Sequence, residues 1–552
     1  MTKQIIDGST LAHMIMAGAR HLSNNSEKID ALNVFPVPDG DTGTNMNLSM
    51  TSGVKEVKKE TDTSVSAIAQ AFSKGLLMGA RGNSGVILSQ LFRGFAKGLD
   101  QKETVEAKGF ANAFEEGVKT AYKAVMKPVE GTILTVAKDA AKVAVRESKT
   151  ETDIVKLMEK TLLEAKKSLK RTPQLLPVLK EVGVVDSGGQ GLVTIYEGFL
   201  SVLKGEELPV EDVEITNMDD LVDKEHDKIA QDFIDTSEIE YGYCTEFIVK
   251  FEKDKLKQNP FDETTFRNEL SKHGDSLLVV SDDEIAKVHI HTEYPGNVMT
   301  LSQQFGSLIN IDIENMREQH TSIVSKKEKV PKEKTNYAII TVAMGKGIKK
   351  LFESLGASIV IEGGQTMNPS TQEIADAIKK TNARNVLILP NNKNIILAAE
   401  QAADLAEVRA EVVSTTTIPQ GISALLAFHP DADLIVNKND MEQAMELVKT
   451  GQVTYAIRDT KIDNIVIEKG HFMGIVDSQI KVSNKDRMDT AKELLINMID
   501  ESDEILTILY GEDVTEEEAV SLKNYVEEQF TDLEIELYDG KQPIYSYIVS
   551  VE

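Results

Sequence analysis

The chain has 552 residues, 41% of them hydrophobic, enough to build several cores in a soluble multi-domain protein. Its net charge of −28 argues against nucleic acid and anionic membrane surfaces as partners, because both need clustered Lys and Arg. The lone cysteine excludes an internal disulfide, the first residues lack a signal-peptide core, and no apolar run approaches the ~20 residues of a bilayer-spanning helix, so a cytoplasmic protein with no integral membrane segment is expected.

Residues 1–205 read as helices. Leu11, Ile15, Ala19 and Leu22 recur at helical spacing, as do Ala67, Ile68, Phe72, Leu76 and Leu77. Leu134, Val136, Ala137 and Ala140 continue the pattern after Gly131. An all-α bundle or barrel is predicted, with a polar site at one end where loops meet helix N-termini. Within it, Asn33–Met46 reads Asn-Val-Phe-Pro-Val-Pro-Asp-Gly-Asp-Thr-Gly-Thr-Asn-Met. Asp39 and Asp41 stand two apart on a segment stiffened by Pro36 and Pro38, while Gly40 and Gly43 permit a tight turn. Thr42, Thr44 and Asn45 add short polar groups. Mg²⁺ takes few protein carboxylates and keeps sites for phosphate oxygens, so this is a candidate magnesium-phosphate site. The bland alternative is an acidic turn, since Asp-Gly is a common turn dipeptide.

Two further glycine-rich turns precede helical patterns. In Gly79–Gln90, Arg81, Gly82, Asn83, Ser84 and Gly85 lead into Val86, Ile87 and Leu91, which places a candidate anion site at a helix start. The spacing is neither a Walker A loop nor a dinucleotide fingerprint. In Val184–Leu192, Asp186, Ser187, Gly188 and Gly189 precede Leu192, Ile195 and Phe199. There a helix N-cap on Asp186 or Ser187 is the simpler reading, and it is compatible with nucleotide binding.

These three turns, in this order over one helical domain, resemble the nucleotide-binding L-domain of the dihydroxyacetone kinases, and the whole chain is similar to the catalytic subunits of bacterial fatty acid kinases. The resemblance implies ATP and Mg²⁺ as cofactors. It implies that Asp39 and Asp41 hold the metal, that residues 79–85 wrap the phosphates with Arg81 acting catalytically, and that residues 184–191 help close the nucleotide site. The sugar-kinase relatives carry one more carboxylate upstream of their Asp-Gly-Asp. Asn33 stands near that place here and Asp30 a few residues earlier, which leaves the number of metals open.

From Glu206 to Glu238 the composition turns acidic and irregular, as in a linker, with a short helix expected near Met218–Asp232. An α+β middle domain is predicted over 239–325, with strands at Tyr243–Phe251, Ser276–Val280 and Ile285–Thr292 and helices at Phe261–His273 and Asn297–Phe305. Cys244 lies on the first strand and His289 and His291 on another. Residues two apart on a strand share a face, so both imidazoles and the thiolate are candidate Zn²⁺ ligands, with His320, His273 or water as a fourth. A buried free cysteine beside two structural histidines is the alternative. The family resemblance points to these three residues as a zinc-associated functional site. His289 is also a candidate base, relay or phosphoryl acceptor.

A charged linker over 326–336 leads to residues 337–552, where strands at Tyr337–Val342, Ile359–Ile361 and Val386–Leu389, and a fourth near Val412–Ser414, alternate with helices. A parallel sheet is expected, with a second α/β lobe from about residue 450. This region resembles the DegV-type fatty-acid-binding fold. The combined expectation is transfer of the ATP γ-phosphoryl to a fatty acid presented by a separate fatty-acid-binding protein of the DegV family, by a kinase that the resemblance implies is a homodimer. The alternatives are a kinase for a small hydroxyl compound such as dihydroxyacetone, and a non-catalytic nucleotide- or lipid-sensing scaffold.

Overall fold

The structure, a computed structural model, describes residues 2–32, 40–125, 127–206, 241–281, 285–315, 334–364, 367–462, 465–477, 479–500 and 502–552. Asn33, Asp39, His320, the helix expected near Met218–Asp232 and most of the 326–336 linker lie outside these residues.

The N-terminal region runs β1 (Ile5–Asp7), α1 (Gly8–Ser23), α2 (Ser26–Asp30), α3 (Thr42–Lys59), α4 (Val65–Met78), α5 (Gly82–Gly98), β2 (Thr104–Glu106), α6 (Ala107–Ala124), α7 (Ile133–Glu147), α8 (Ile154–Leu175), α9 (Pro177–Val182) and α10 (Ser187–Lys204). Side chains start several helices where the sequence supplies N-caps: Asp7 accepts from the Thr10 amide, Ser64 from Ala67 and Asp153 from Val155. Short turns make successive long helices antiparallel neighbours, and α10 packs back on α1 to close the ring. That closure needs glycine on both sides, because a Cβ on Gly198 would lie 2.6 Å from the Gly18 backbone. The interior is filled by a chain of aromatic contacts running from Phe72 through Phe92, Phe95, Phe110 and Phe114 to Tyr196 and Phe199. The antiparallel β1–β2 pair, which helical periodicity gave no reason to expect, ties the segment before α1 to the one before α6. Alternation of direction gathers the starts of α3, α5, α7 and α10 at one end.

The C-terminal region begins with β7 (Thr335–Ala343), β8 (Ile359–Glu362), β9 (Ala383–Leu389) and β10 (Arg409–Val412) in a parallel sheet ordered β10-β9-β7-β8. Its apolar strands and intervening helices are those the sequence predicts, with β10 ending at Val412 rather than running to Ser414. The second lobe departs from the strand-turn-helix pattern. β11 (Lys449–Tyr455), β14 (Phe472–Val476), β15 (Gln479–Asn484), β16 (Ile505–Tyr510), β17 (Glu534–Asp539) and β18 (Tyr547–Val551) order as β15-β14-β11-β18-β16-β17, mostly antiparallel with β16–β17 parallel. A small hairpin joins β12 (Thr460–Ile462) to β13 (Ile465–Ile467).

The N- and C-terminal regions form one compact unit, Met1–Leu208 with Lys334–Glu552. Ala80 and Val86, around the start of α5, are buried in the same apolar cluster as Ile340, Val342, Ile374 and Ala398 of the parallel sheet and its helices. Val182 packs against Ile462 and Met473, and the Arg458 guanidinium donates to the Ala31 carbonyl at 3.0 Å.

The second unit holds the middle domain. Its strands β3 (Tyr243–Phe251), β4 (Gly274–Ser281), β5 (Ile285–Thr292) and β6 (Gly306–Asn315) order β4-β5-β3-β6, all antiparallel, with helices Lys253–Gln258, Glu263–Leu270 and Pro295–Ser302. Phe247, Val249, Phe266, Leu270, Val288 and Ile290 form its core. Strand β6 escaped the sequence reading. Its alternating Ile309, Ile311 and Ile313 stand exposed at the sheet edge rather than in a core.

Replacing Gly198 with alanine forces α1 and α10 apart and is expected to cost about 1–3 kcal/mol. Urea denaturation of the full chain measures it; an unchanged midpoint would show that the ring closure tolerates a methyl group.

Candidate functional site

The start of α3 is built by its neighbours. The chain turns at α2, and Asp30 at its end accepts hydrogen bonds from the amides of Gly43 (2.6 Å) and Thr44 (3.2 Å) and from the Thr44 hydroxyl (2.8 Å). Asp30 thus caps α3 from outside, and Gly43 has no side chain because a Cβ there would meet the Ser26 carbonyl oxygen at 2.2 Å. Asp41 occupies the N-cap position, yet its side chain makes no cap bond to the helix. Instead its Oδ2 accepts from the Asn368 amide at 2.5 Å.

The start of α5 sits against the first turns of α3. The Ser49 hydroxyl donates to the Asn45 carbonyl and accepts from the Arg81 amide. Gly82, at φ +57°, passes so near the Asn45 side chain that a Cβ would lie 2.6 Å from its Nδ2, and a Cβ on Gly85 would lie 2.5 Å from the Ser49 Oγ. The Arg81 side chain gives α5 no cap, which leaves the first backbone N–H groups to other partners. Its guanidinium reaches the C-terminal region, donating to the Asn368 carbonyl at 2.7 Å and pairing with Glu373 at 3.1 Å.

At the start of α10, Asp186 accepts from the Gly189 amide at 2.7 Å. Burial pushes its carboxyl up to about 6, against the backbone hydrogen bonds from Gly189 and Ile133 that favour the anion. Gly188 and Gly189 let α10 approach Ile133 and Val136 of α7, and a Cβ on Gly191 would meet Met46 of α3 at 2.6 Å.

A cavity of about 550 Å³ opens beside these helix starts. Asp41, Thr42, Asn45, Asn83 and Ser84 form one wall, and Asn392, Asn394, Thr416, Thr417, Thr450 and Gln452 are part of the opposite one. The Asn83 amide donates to the Asn394 side-chain oxygen at 3.2 Å across the boundary. Lys449 also lines the cavity, but its ammonium is held by Asp500 and Asp503. The volume falls within the roughly 300–1,000 Å³ of small-molecule sites.

Residues 36–201 match the DAK2 domain, 240–323 the middle domain of the FakA-like fatty acid kinase proteins and 338–552 their C-terminal domain. The chain is 57% identical to "Protein YloV" of Bacillus subtilis (strain 168) over 557 residues, covering 100% of each. It is 51% identical to an "Uncharacterized protein" of Staphylococcus aureus (strain USA300) over 550 residues, covering 99% of each. The chain belongs to the FakA-like family of fatty acid kinase proteins. Among solved structures it is similar to a DegV family protein from Corynebacterium glutamicum (TM-score 0.31, 15% identity, covering 40% of this chain and 97% of that one). It is also similar to the Streptococcus pneumoniae Fatty Acid Kinase (Fak) B3 protein loaded with linoleic acid (TM-score 0.27, 10% identity, covering 39% and 99%).

The FakA-like and DAK2 domains make this a kinase-family chain, and such domains imply ATP and a divalent metal. The structure brings Asp41, Thr42, Asn45, Asn83 and Ser84 together at the cavity. Thr44 faces Asp30, and Arg81, Gly82, Gly85, Ser187, Gly188 and Gly189 are not among the lining residues. Sequence reasoning passed over Asp30 as too early in the chain, and only the return of the chain at α2 reveals its place. It also missed Asn368 and the 392–394 turn, which carry no recognisable local motif.

His289 and His291 lie on β5 of the middle domain, both buried, with ring centroids 5.1 Å apart. The register sets Cys244 opposite His291. The strand periodicity thus pairs the imidazoles as expected. Zinc does not follow: among the described residues, no group of three or more His, Cys, Asp or Glu side chains could hold a metal ion. The Cys244 side chain is outside that description.

The folded-state affinity of Asp186 for a proton exceeds that of an unfolded carboxylate near 3.8. Its contribution to stability is therefore greatest below pH ~4 and declines as pH rises to about 6. Relative to Asp186→Asn, which keeps an acceptor for Gly189, the wild-type chain should lose stability across that window and stay level above it. Urea denaturation from pH 4 to pH 8 tests this; a flat difference would show that the carboxyl is not desolvated.

Proposed function

We propose that this chain is the ATP-dependent catalytic subunit of a fatty acid kinase. The observation that carries the reading is the shared cavity, with an acidic, hydroxyl- and amide-lined wall at the starts of α3 and α5. These donors fit a metal-nucleotide pair. The Asp41 carboxylate and Thr42 hydroxyl suit Mg²⁺, joined by Asp39, and the uncapped start of α5 with Asn83 and Ser84 suits phosphate oxygens. When bound, Mg²⁺ supplies charge neutralisation at the transferring phosphoryl group. The chain's own residues orient the nucleotide and exclude water, which is most of what phosphoryl transfer needs from a protein. A fatty acid carboxylate oxygen attacks the γ-phosphorus, and the bond to the bridging oxygen breaks. The electron pair leaves with ADP, and an acyl-phosphate is formed.

A fatty acid is too insoluble to reach so polar a cavity alone, so a separate fatty-acid-binding protein of the DegV family presents it. The acidic surface suits a basic carrier face. A homodimer belongs to the same reading, supported by the exposed Ile309, Ile311 and Ile313 on edge strand β6. His289 and His291 remain candidates for a functional role in the middle domain, as relay or base.

ATP consumption is expected only when carrier and fatty acid are both present, and Asp41→Asn should reduce it about 100-fold or more. A coupled ADP-release assay reads both effects. Turnover of dihydroxyacetone without carrier would instead favour the small-hydroxyl kinase, and an undiminished Asp41→Asn enzyme would overturn the site assignment.

A further inference from the structure

The nucleotide site described above is not complete within the helical domain. Asn368 comes from the C-terminal domain, between β8 and the helix Thr371–Lys380, and is 2% exposed. Its Nδ2 donates to Asp41 and its carbonyl accepts from Arg81, so one residue touches both the proposed metal-binding turn and the turn before α5. The next residues repeat the grip. The Thr371 amide donates to the Ala80 carbonyl at 3.1 Å, and Glu373 pairs with Arg81. Glu373 is itself fixed, because Ser370 and Glu373 form a reciprocal capping box that orders this helix start.

We propose that Asn368 is a positioning residue for the metal-nucleotide site, so that the C-terminal domain completes the site on which ATP depends. The proposal rests on the reading of Asp41 as a Mg²⁺ ligand. A carboxylate at a turn samples several rotamers, and holding one of them in advance lowers the cost of binding the cation. An amide is suited to this task. It donates to one carboxylate oxygen without cancelling the negative charge, whereas Lys or Arg would compete with the metal. The Asn368 Oδ1 is buried and has no hydrogen-bond partner among the described residues. An orphaned oxygen beside a carboxylate is costly, and a hydrated cation would satisfy it.

The test uses the full chain and a non-hydrolysable ATP analogue, titrated by calorimetry with Mg²⁺ and with EDTA. Asn368→Ala is expected to weaken the Mg²⁺-dependent affinity about tenfold or more and to leave the metal-free affinity unchanged. On an Asp41→Asn background it should add nothing, since it acts through that carboxylate. The isosteric Asn368→Asp covers the case in which alanine impairs folding. It faces Asp41 with a second carboxylate, and nucleotide affinity should then vary with pH more steeply than in wild type. A parallel loss of metal-free and Mg²⁺-dependent binding would reveal a merely structural role and overturn the proposal. Wild-type Mg²⁺ dependence in Asn368→Ala, with that dependence lost in Asp41→Asn, would overturn it while leaving the functional reading intact. Mg²⁺ dependence surviving in Asp41→Asn would overturn the assignment of Asp41 as a metal ligand, on which the proposal rests.

Discussion

The close approach of the starts of α3 and α5 is the constraint on which the rest of this site depends. Cβ atoms on Gly79, Gly82 and Gly85 would fall 2.2, 2.6 and 2.5 Å from Ser52, Asn45 and Ser49. With side chains there, α5 would swing away, and Asn83 and Ser84 would leave the wall that they share with Asp41 and Thr42. Ala80 and Val86 would leave the C-terminal core with them. Glycine in this turn therefore has a packing cause that stands whether or not a phosphate ever approaches.

Charge then sorts the helix starts. A chain of net charge −28 must still hold a polyanion, and helix N-termini are its local positive features. Asp30 already takes the first amides of α3, and Asp186 takes one at α10. Arg81 leaves the start of α5 without a side-chain cap. Under the proposed reading this division assigns the phosphates to α5 and the cation to the carboxylates around α3. The third glycine turn, at Ser187–Gly189, then serves the ring: Gly188 and Gly189 admit Ile133 and Val136 of α7, and Gly191 just beyond admits Met46 of α3.

Local pattern made much of this legible. Helical periodicity located the ring, because its apolar stripes face one core, and the glycine-rich turns marked helix starts correctly. Continuous apolar runs gave β7 and β9, which are buried on both faces of a parallel sheet. What escaped was non-local. β1 and β2 are short strands nearly a hundred residues apart, stabilised by each other rather than by their own pattern. β6 puts its isoleucines outward, against the usual sense of alternation. The second lobe's order follows from long connections that no window can see. Arg81 shows the same limit at the site: its sequence setting suggests a phosphate ligand, whereas its guanidinium lies on Asn368 and Glu373, far along the chain.

That distance in sequence carries a consequence for how the protein is organised. The helical ring has its own core and its own caps. Yet the two share an apolar cluster around Ala80 and Val86, and the cavity takes walls from both. An interface of this kind, apolar at the centre and hydrogen-bonded at Asp41, Arg81 and Asn83, does not slide freely, because interdigitated side chains have discrete arrangements. A domain that merely tethered a carrier would need only a flexible linker. Packing this one into the rim of the cavity places its loops within reach of any ligand bound there, as the proposed transfer to an escorted substrate would require.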